Sequence, residues 1–479
     1  MKKYILIITC FIFLGAISCT KDITRFNRET KAPSEVPAET LFSNGMRNLV
    51  DVITSGNVNL NIFRYTVQHW ASTTYQDEPN YDFGTRNIPQ NWWLNLYRNV
   101  LADLKESKRL VNETEPGVVS AETLKNQVAT LELLEIYTYS ILVNTFGDVP
   151  YTESNDVDNL FPKYDDARTI YDDLFVRLDQ AIADLDPAVE GFSAESDLLY
   201  QGDISKWEKF ANSLKIKLAM TIADVDESKA RAAFESADAG AFTSAADDAV
   251  FHYLPTTPNT NPIWVDLVQS GRADMVAGKP LLDQLTALGD PRRDDFFEPN
   301  NSGEWVGGRI GANNTYAETA RPSEMVEAPD APSVLLDYVE IEFYRAEAAE
   351  RGFNVSGTAQ EHYNNAITAS IIQWGGTAAE ATTYLAKPQV NYNTAAGDWR
   401  HKIGLQKWIA LYNRPVAGWL EIRRLDFPEV TPPANPDSGF PNRFPYPANE
   451  QTLNPENYTA AAAAIGGDKV ETQLFWDIF

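Results

Sequence analysis

The sequence predicts an all-α body, and three observations carry that reading. Apolar residues recur at spacings of three and four over several long stretches. Those stretches open on capping residues and close on glycine. Where the helical period fails, the chain turns rich in proline, glycine and asparagine rather than in alternating β-branched residues. The chain is 479 residues long, with 44% hydrophobic and 11% aromatic residues, ample for a large core. Its formal charge of −27 and the lack of a basic run argue against nucleic acid as a partner. Four histidines and two cysteines leave little material for a soft-metal or thiol centre.

Lys2 and Lys3 precede an apolar run from Tyr4 to Ile17, which ends in the small residues before Cys19. The run is short for a bilayer span, which takes about 20 apolar residues, and it reads as an export signal. Ala16–Cys19 is similar to a bacterial lipobox, which implies a signal peptide over residues 1–18 and acyl chains (palmitate) on Cys19. Cleavage there also removes Cys10, so the mature chain has no second thiol for an internal disulfide. Acyl chains, at about 0.8 kcal/mol per buried methylene, then supply the anchoring that the acidic chain cannot. Residues 19–40, with Pro33 and Pro37, read as an extended lipidated tether, and residues 41–479 as the functional domain.

Within that domain Leu124, Val128, Leu131, Leu134, Tyr137 and Ile141 mark one face of a long helix ended by Gly147 and Pro150. Asp203 is the expected N-cap of a helix burying Trp207, Phe210, Leu214, Leu218 and Ile222. Leu335, Val339, Phe343, Ala346 and Ala349 mark another helix, stopped by Gly352. Thr358 and Glu361 form a capping box for its partner, which carries Tyr363, Ile367, Ile371 and Trp374 and closes at Gly375–Gly376. This pair is a helix hairpin of tetratricopeptide size, although no strict repeat period runs along the chain. Residues 250–333 and the proline-rich residues 428–458 are expected to be irregular.

A series of short stretches, in order, resembles the SusD/RagB family of nutrient-binding outer-membrane lipoproteins, and in particular its SusD-like type 2 branch. They are Asn144–Tyr151, Trp207–Lys215, Leu288–Arg292, Tyr344–Ala348, Gln406–Leu411, Glu421–Arg424 and Arg443–Pro447. The resemblance implies a body of tetratricopeptide-like helix pairs with long irregular segments packed on it. It implies no catalytic residue. It further implies a cell-surface lipoprotein that captures an oligosaccharide or peptide and delivers it to a SusC-like TonB-dependent transporter. The short acidic sequence that directs such proteins outward is abbreviated here to Thr20-Lys21-Asp22. Two other readings are a lipid-anchored helical scaffold that binds only proteins, and a glycan hydrolase.

A sugar-binding surface needs flat aromatic faces for the pyranose C–H side and planar polar groups for the hydroxyls. The candidates are Trp70, Tyr75, Asp77, Asn80 and Tyr81 in one segment, with Arg86 beside them, and Trp264, Trp305 and Tyr316 in the loop-rich region. Trp92 and Trp93 open a helix and at least one should be core; Trp207, Trp374, Trp408 and Trp419 fall in helical phase and should be core. No cofactor is expected, the clustered acids Asp77, Glu78 and Asp82 being the sole Ca²⁺ candidate. No His-Glu-x-x-His pair, Gly-x-Ser-x-Gly elbow or phosphate loop is present. Gly307, Gly308 and Gly311 around Arg309 point instead to a close backbone approach.

Overall fold

The computed structural model describes residues 36–479; the signal, Cys19 and the first part of the tether lie outside the described residues. The first helix, α1, spans Ala38–Thr54, so the last three residues assigned to the tether are helical. After a short helix at Ile88–Leu94 and a π-helical turn at Asn95–Leu101 come α2 (Ala102–Asn112), α3 (Ala121–Phe146), α4 (Ala167–Asp184), α5 (Ile204–Thr221) and α6 (Glu227–Ala237). Then follow α7 (Lys279–Leu288), α8 (Tyr338–Glu350), α9 (Ala359–Gln373), α10 (Ala378–Leu385), α11 (Trp399–Ala410), α12 (Pro415–Leu425) and α13 (Pro455–Ala464). Successive helices pack side by side, α1 with α2, α3 with α4, α5 with α6, α8 with α9 and α11 with α12. This is the pairwise stacking expected of tetratricopeptide-like units.

The boundaries follow local chemistry. Ser120 caps α3 by accepting from the Thr123 amide, and Gly147, at φ +86°, ends it. The α3 residues from Leu133 to Phe146 are buried all round, so this helix runs through the body rather than over it. Asp203 caps α5 by accepting from the Ser205 amide at 3.0 Å. Thr358 and Glu361 form the reciprocal box at the start of α9, at 3.2 and 2.8 Å. Leu335 departs from the expected pattern. It belongs to a strand, and α8 begins three residues later, behind the cap Asp337.

Strands are few and short: β1 (Trp70–Ser72), β2 (Ala249–Phe251), β3 (Met275–Ala277), β4 (Phe297–Glu298), β5 (Arg321–Pro322) and β6 (Ser333–Leu336). They form antiparallel pairs β1–β3, β2–β6 and β4–β5. Two expected irregular regions hold helix after all. Residues 250–333 contain α7, and residues 428–458 contain a turn of helix at Glu450–Leu453 and the start of α13, where Pro455 takes the first helical position.

Buried charges tie the helix pairs together. Glu340 on α8 pairs with Lys217 of α5 and with Arg414, and Arg414 also reaches Asp337 at 2.7 Å. Two turns along α8, Glu347 accepts from Arg424 of α12 at 2.6 Å and from Arg351 at 2.8 Å. Glu421 of α12 joins Arg424 at 2.7 Å and Lys407 of α11 at 2.9 Å. The Tyr344 hydroxyl lies between Glu340 and Glu421, at 3.0 and 2.7 Å, sharing its one proton, under the Lys407 ammonium. Burial alone would raise the Glu340 carboxyl, but Lys217 and Arg414 outweigh it and hold it at about 2. Glu421 is lowered as well, Arg424 and Lys407 prevailing over burial.

Because the folded pKa of Glu340 lies below its unfolded value of about 4.3, its contribution to stability is complete above that pH and is lost as the pH falls toward 2. Thermal melts followed by circular dichroism should therefore show a midpoint that drops steeply between about pH 4.5 and pH 2. Glu340→Gln should lower the midpoint at pH 7 and flatten that descent.

Candidate loop-borne binding face

Three irregular segments meet at Asn80. Its Nδ2 donates to the Gln76 carbonyl at 2.7 Å and to the Gly311 carbonyl at 2.9 Å. Its Oδ1 accepts from the Asn435 amide at 2.9 Å, and its own carbonyl accepts from Asp437 at 2.8 Å. One side chain thus fastens the loop after β1, the segment around Gly311 and the proline-rich strap at residues 430–439. Gly311 sits at φ +70°, and a Cβ there would lie 2.1 Å from Asn80 Oδ1. Only glycine allows this approach.

The loop after β1 is held at both ends. Thr73 pairs with the Asp274 carbonyl through its amide, at 2.9 Å, and Ser72 Oγ accepts from the Tyr75 amide at 2.8 Å. Further on, Asp82 accepts from the Gly84 and Thr85 amides at 2.9 and 3.0 Å, closing an Asx turn. Across from it, a Cβ on Gly308 would stand 2.8 Å from Val276, and one on Gly307 would stand 2.4 Å from the Lys279 backbone. The close approach read from these glycines is therefore present. Asn314 completes the junction, its Nδ2 donating to the Ser72 carbonyl at 2.8 Å and its Oδ1 accepting from the Arg309 amide at 2.9 Å.

The sequence candidates divide on this frame. Trp70 is fully buried in β1, with its indole N–H donating to Tyr412 at 3.0 Å and the Arg64 guanidinium over its ring. It has no face for a ligand, and the assignment is corrected to core. Asn80 and Tyr81 are also buried; Asn80 spends its amide on the junction, and Tyr81, at φ +71°, sets its ring edge-on to Phe440. They shape the loop rather than offer a surface. Tyr75 is half-buried under the Arg86 guanidinium, 4.8 Å from its ring, and Asp77 is exposed. Tyr316 is half-buried on Ala71, Val276 and Ile310, which joins it to the same junction. Trp305, half-buried a few residues before Arg309, carries the Arg293 guanidinium at 4.1 Å. Trp264 stands apart, half-buried at the start of a π-helical turn that packs on the short helix Glu324–Glu327.

Of the tryptophans assigned to the core, Trp92, Trp93, Trp207, Trp408 and Trp419 are buried. Trp374 is not: it caps α9, half-exposed, with Phe296 and Tyr412 against its ring, and lines a cavity of about 210 Å³. The acids considered for Ca²⁺ do not converge. Glu78 is buried against Arg86 while Asp82 serves its own turn, and among the described residues no three His, Cys, Asp or Glu side chains gather as a metal would require. Burial raises the Glu78 carboxyl, with Arg86 opposing. Near Tyr316, burial and the Glu298 carboxylate push Glu327 up to about 7. The accessible set is thus Tyr75 with Arg86, Trp305 with Arg293, and Tyr316. Such a set can stack on a sugar ring and hydrogen-bond its edge.

A family model described as "Starch-binding associating with outer membrane", SusD-like, matches residues 30–447. No curated protein matches the chain. Among solved structures it is similar to a chitin-binding protein, at 24% identity and TM-score 0.79, over 92% of this chain and 100% of that one. It is also similar to a Bacteroidetes AC2a SusD-like protein, at 20% identity and TM-score 0.80, over 93% and 100% of the two chains. A third is a chitin-binding SusD homologue from Flavobacterium johnsoniae, at 23% identity and TM-score 0.78, over 92% and 98%. These likenesses show the fold, including its helix pairs.

Trp70→Ala should cost about 3–5 kcal/mol in urea unfolding, as for other buried tryptophans, while leaving the ligand affinity of the folded fraction unchanged.

Proposed function

This chain belongs to the SusD-like family, and from that membership we propose that it captures oligosaccharides at the outer face of the bacterial outer membrane for delivery to a SusC-like TonB-dependent transporter. Members of the family bind rather than catalyse. The observation that carries the reading is the face built around Asn80. There Tyr75, beside Arg86, and Tyr316 keep partly exposed rings, and Trp305, which precedes the Gly307–Gly308 segment, keeps one beside Arg293. Pyranose C–H faces seat on such rings, and the guanidinium edges donate to hydroxyl and ring oxygens. Both chitin-binding relatives are consistent with a glycan ligand, and nothing in this chemistry calls for a cofactor.

The anchor in this proposal is acylated Cys19, outside the described residues. Among the described residues no helix is long and apolar enough to cross a membrane.

Isothermal titration with chitohexaose and maltohexaose tests the ligand. The Trp305→Ala, Tyr316→Ala double variant should bind the preferred hexaose at least about tenfold more weakly at an unchanged melting temperature, a loss on the scale of removing stacking anchors. Unaltered affinity would remove these rings from the site. For the anchor, Cys19→Ala should move the protein from the detergent-extracted membrane fraction to the soluble fraction; retention in the membrane would refute acylation as the tether.

A further inference from the structure

A second cleft lies at the end of α12, beside the segments that flank the proline-rich strap. It has a volume of about 420 Å³, inside the range of small-molecule sites. The end of α12 (Arg423, Asp426), the strap (Phe427–Val430, Phe440) and the last turn of chain (Gln473, Asp477) enclose it. Its position is fixed from below. Gly404 of α11 lets the strap lie close, since a Cβ there would come within 2.8 Å of Phe427 Cβ and 3.0 Å of its carbonyl oxygen. The ring of Phe440 meets buried Tyr81 edge-on at 6.3 Å, which ties this wall of the cleft to the loop after β1.

Arg423 sets the chemistry of this cleft. It is buried between the rings of Trp419 and Trp476, at 3.5 and 4.9 Å, and forms no ion pair among the described residues. Its Nε donates to the Trp419 carbonyl at 3.1 Å and its Nη1 to the carbonyls of Asn144 and Asn442, at 2.9 and 2.7 Å. Nη2 has no partner. A buried guanidinium N–H without an acceptor is costly, and a ligand oxygen would satisfy it. Around it stand partly exposed Phe427 and Phe440, with the planar polar groups of Gln473 and Asp477. Burial raises the Asp477 carboxyl to about 6 and lowers Arg423 to about 9.

We infer that this cleft is a second saccharide site, taking neutral pyranose units against Phe427 and Phe440, with Arg423 Nη2 donating to a sugar oxygen and Asp477 and Gln473 accepting from hydroxyls. Aromatic walls beside planar acceptors are what a pyranose requires, apolar on its faces and polar at its rim. The carboxylates of Asp426, Glu429 and Asp477 disfavour an anionic sugar, while buried Arg423 disfavours a cationic ligand. The inference rests on the proposal that the chain binds oligosaccharides.

Titration calorimetry of the full mature chain with chitohexaose and maltohexaose tests it. In the Trp305→Ala, Tyr316→Ala background a residual binding event should remain, and adding Phe427→Ala with Gln473→Ala should weaken it at least about tenfold. Asp477→Asn with Gln473→Ala should act in the same direction and leaves the strap aromatics in place, should Phe427→Ala lower the melting temperature. If both cleft variants bind a hexaose as the parent does, this inference falls and the loop-face reading stands. If the cleft variants lose binding while Trp305→Ala and Tyr316→Ala are silent, the cleft stands and the loop face falls. No binding of either hexaose by the unaltered chain overturns both.

Discussion

The carboxylates buried along α8 are the constraint on which the body depends. Glu340 and Glu347 stand two turns apart on one helix, and each is met by cations from other helices: Lys217 of α5, Arg414 before α12, and Arg424 within it. Taking such ions out of water costs several kcal/mol apiece, and apolar residues of like volume would often stabilise the fold at least as well. What the ions add is register. A greasy seam between helices tolerates a slip of one turn, whereas a slip here would bury Lys407 and Arg424 against nothing. The ladder continues from Glu347 through Arg351 to Asp224 and Arg400, at 2.9 and 2.7 Å, binding the turn after α5 to α11. Helix pairs that share no strict sequence repeat are thereby held in one stacking.

The same charges explain what the family resemblance carries and what it leaves out. Its stretches fall on structural contacts. Asp290 and Arg292 form a fully buried pair at 2.6 Å that reaches Ser370 of α9. Glu421 and Arg424 belong to the ladder, and Arg443 is buried between the Phe146 carbonyl and Asp468. Residues that fix a fold are constrained by neighbours on every side. Those that touch a ligand are constrained by the ligand, and the motifs accordingly spell out the scaffold and say little about the surface.

Helices, caps and stops were legible because their physics is local: Asp203 and Thr358 each act within a few residues of the backbone groups they satisfy. The loop aromatics were legible in type and not in placement. Trp70 lies in a polar-looking segment, yet it is buried because β1 pairs with β3 some two hundred residues away and Tyr412 supplies its acceptor. Asn80 looked like a ligand donor for the reason that makes it a good clasp: an amide offers both donor and acceptor to whatever approaches. Trp374 kept the helical phase but sits at the C-cap of α9, where the face of a helix no longer dictates burial. The glycines at 307, 308 and 311 succeeded because a missing side chain has few explanations other than crowding. The cleft over Arg423 was beyond reach, as its walls come from segments that no period or motif connects.

A scaffold this rigid suits the proposed handover of a ligand. The loop face is fixed by backbone hydrogen bonds before anything binds, so little ordering entropy opposes capture. The contacts proposed for it are a few half-exposed rings and guanidinium groups rather than an enclosed, desolvated pocket. Affinity drawn from such open stacking contacts is moderate, and differences in affinity appear mostly as differences in release rate. A receptor that must pass its cargo onward needs both properties: a preformed surface keeps capture unopposed by rearrangement, and shallow contacts let an oligosaccharide be released one ring at a time. Deep burial of every polar edge would tighten the complex at the expense of release.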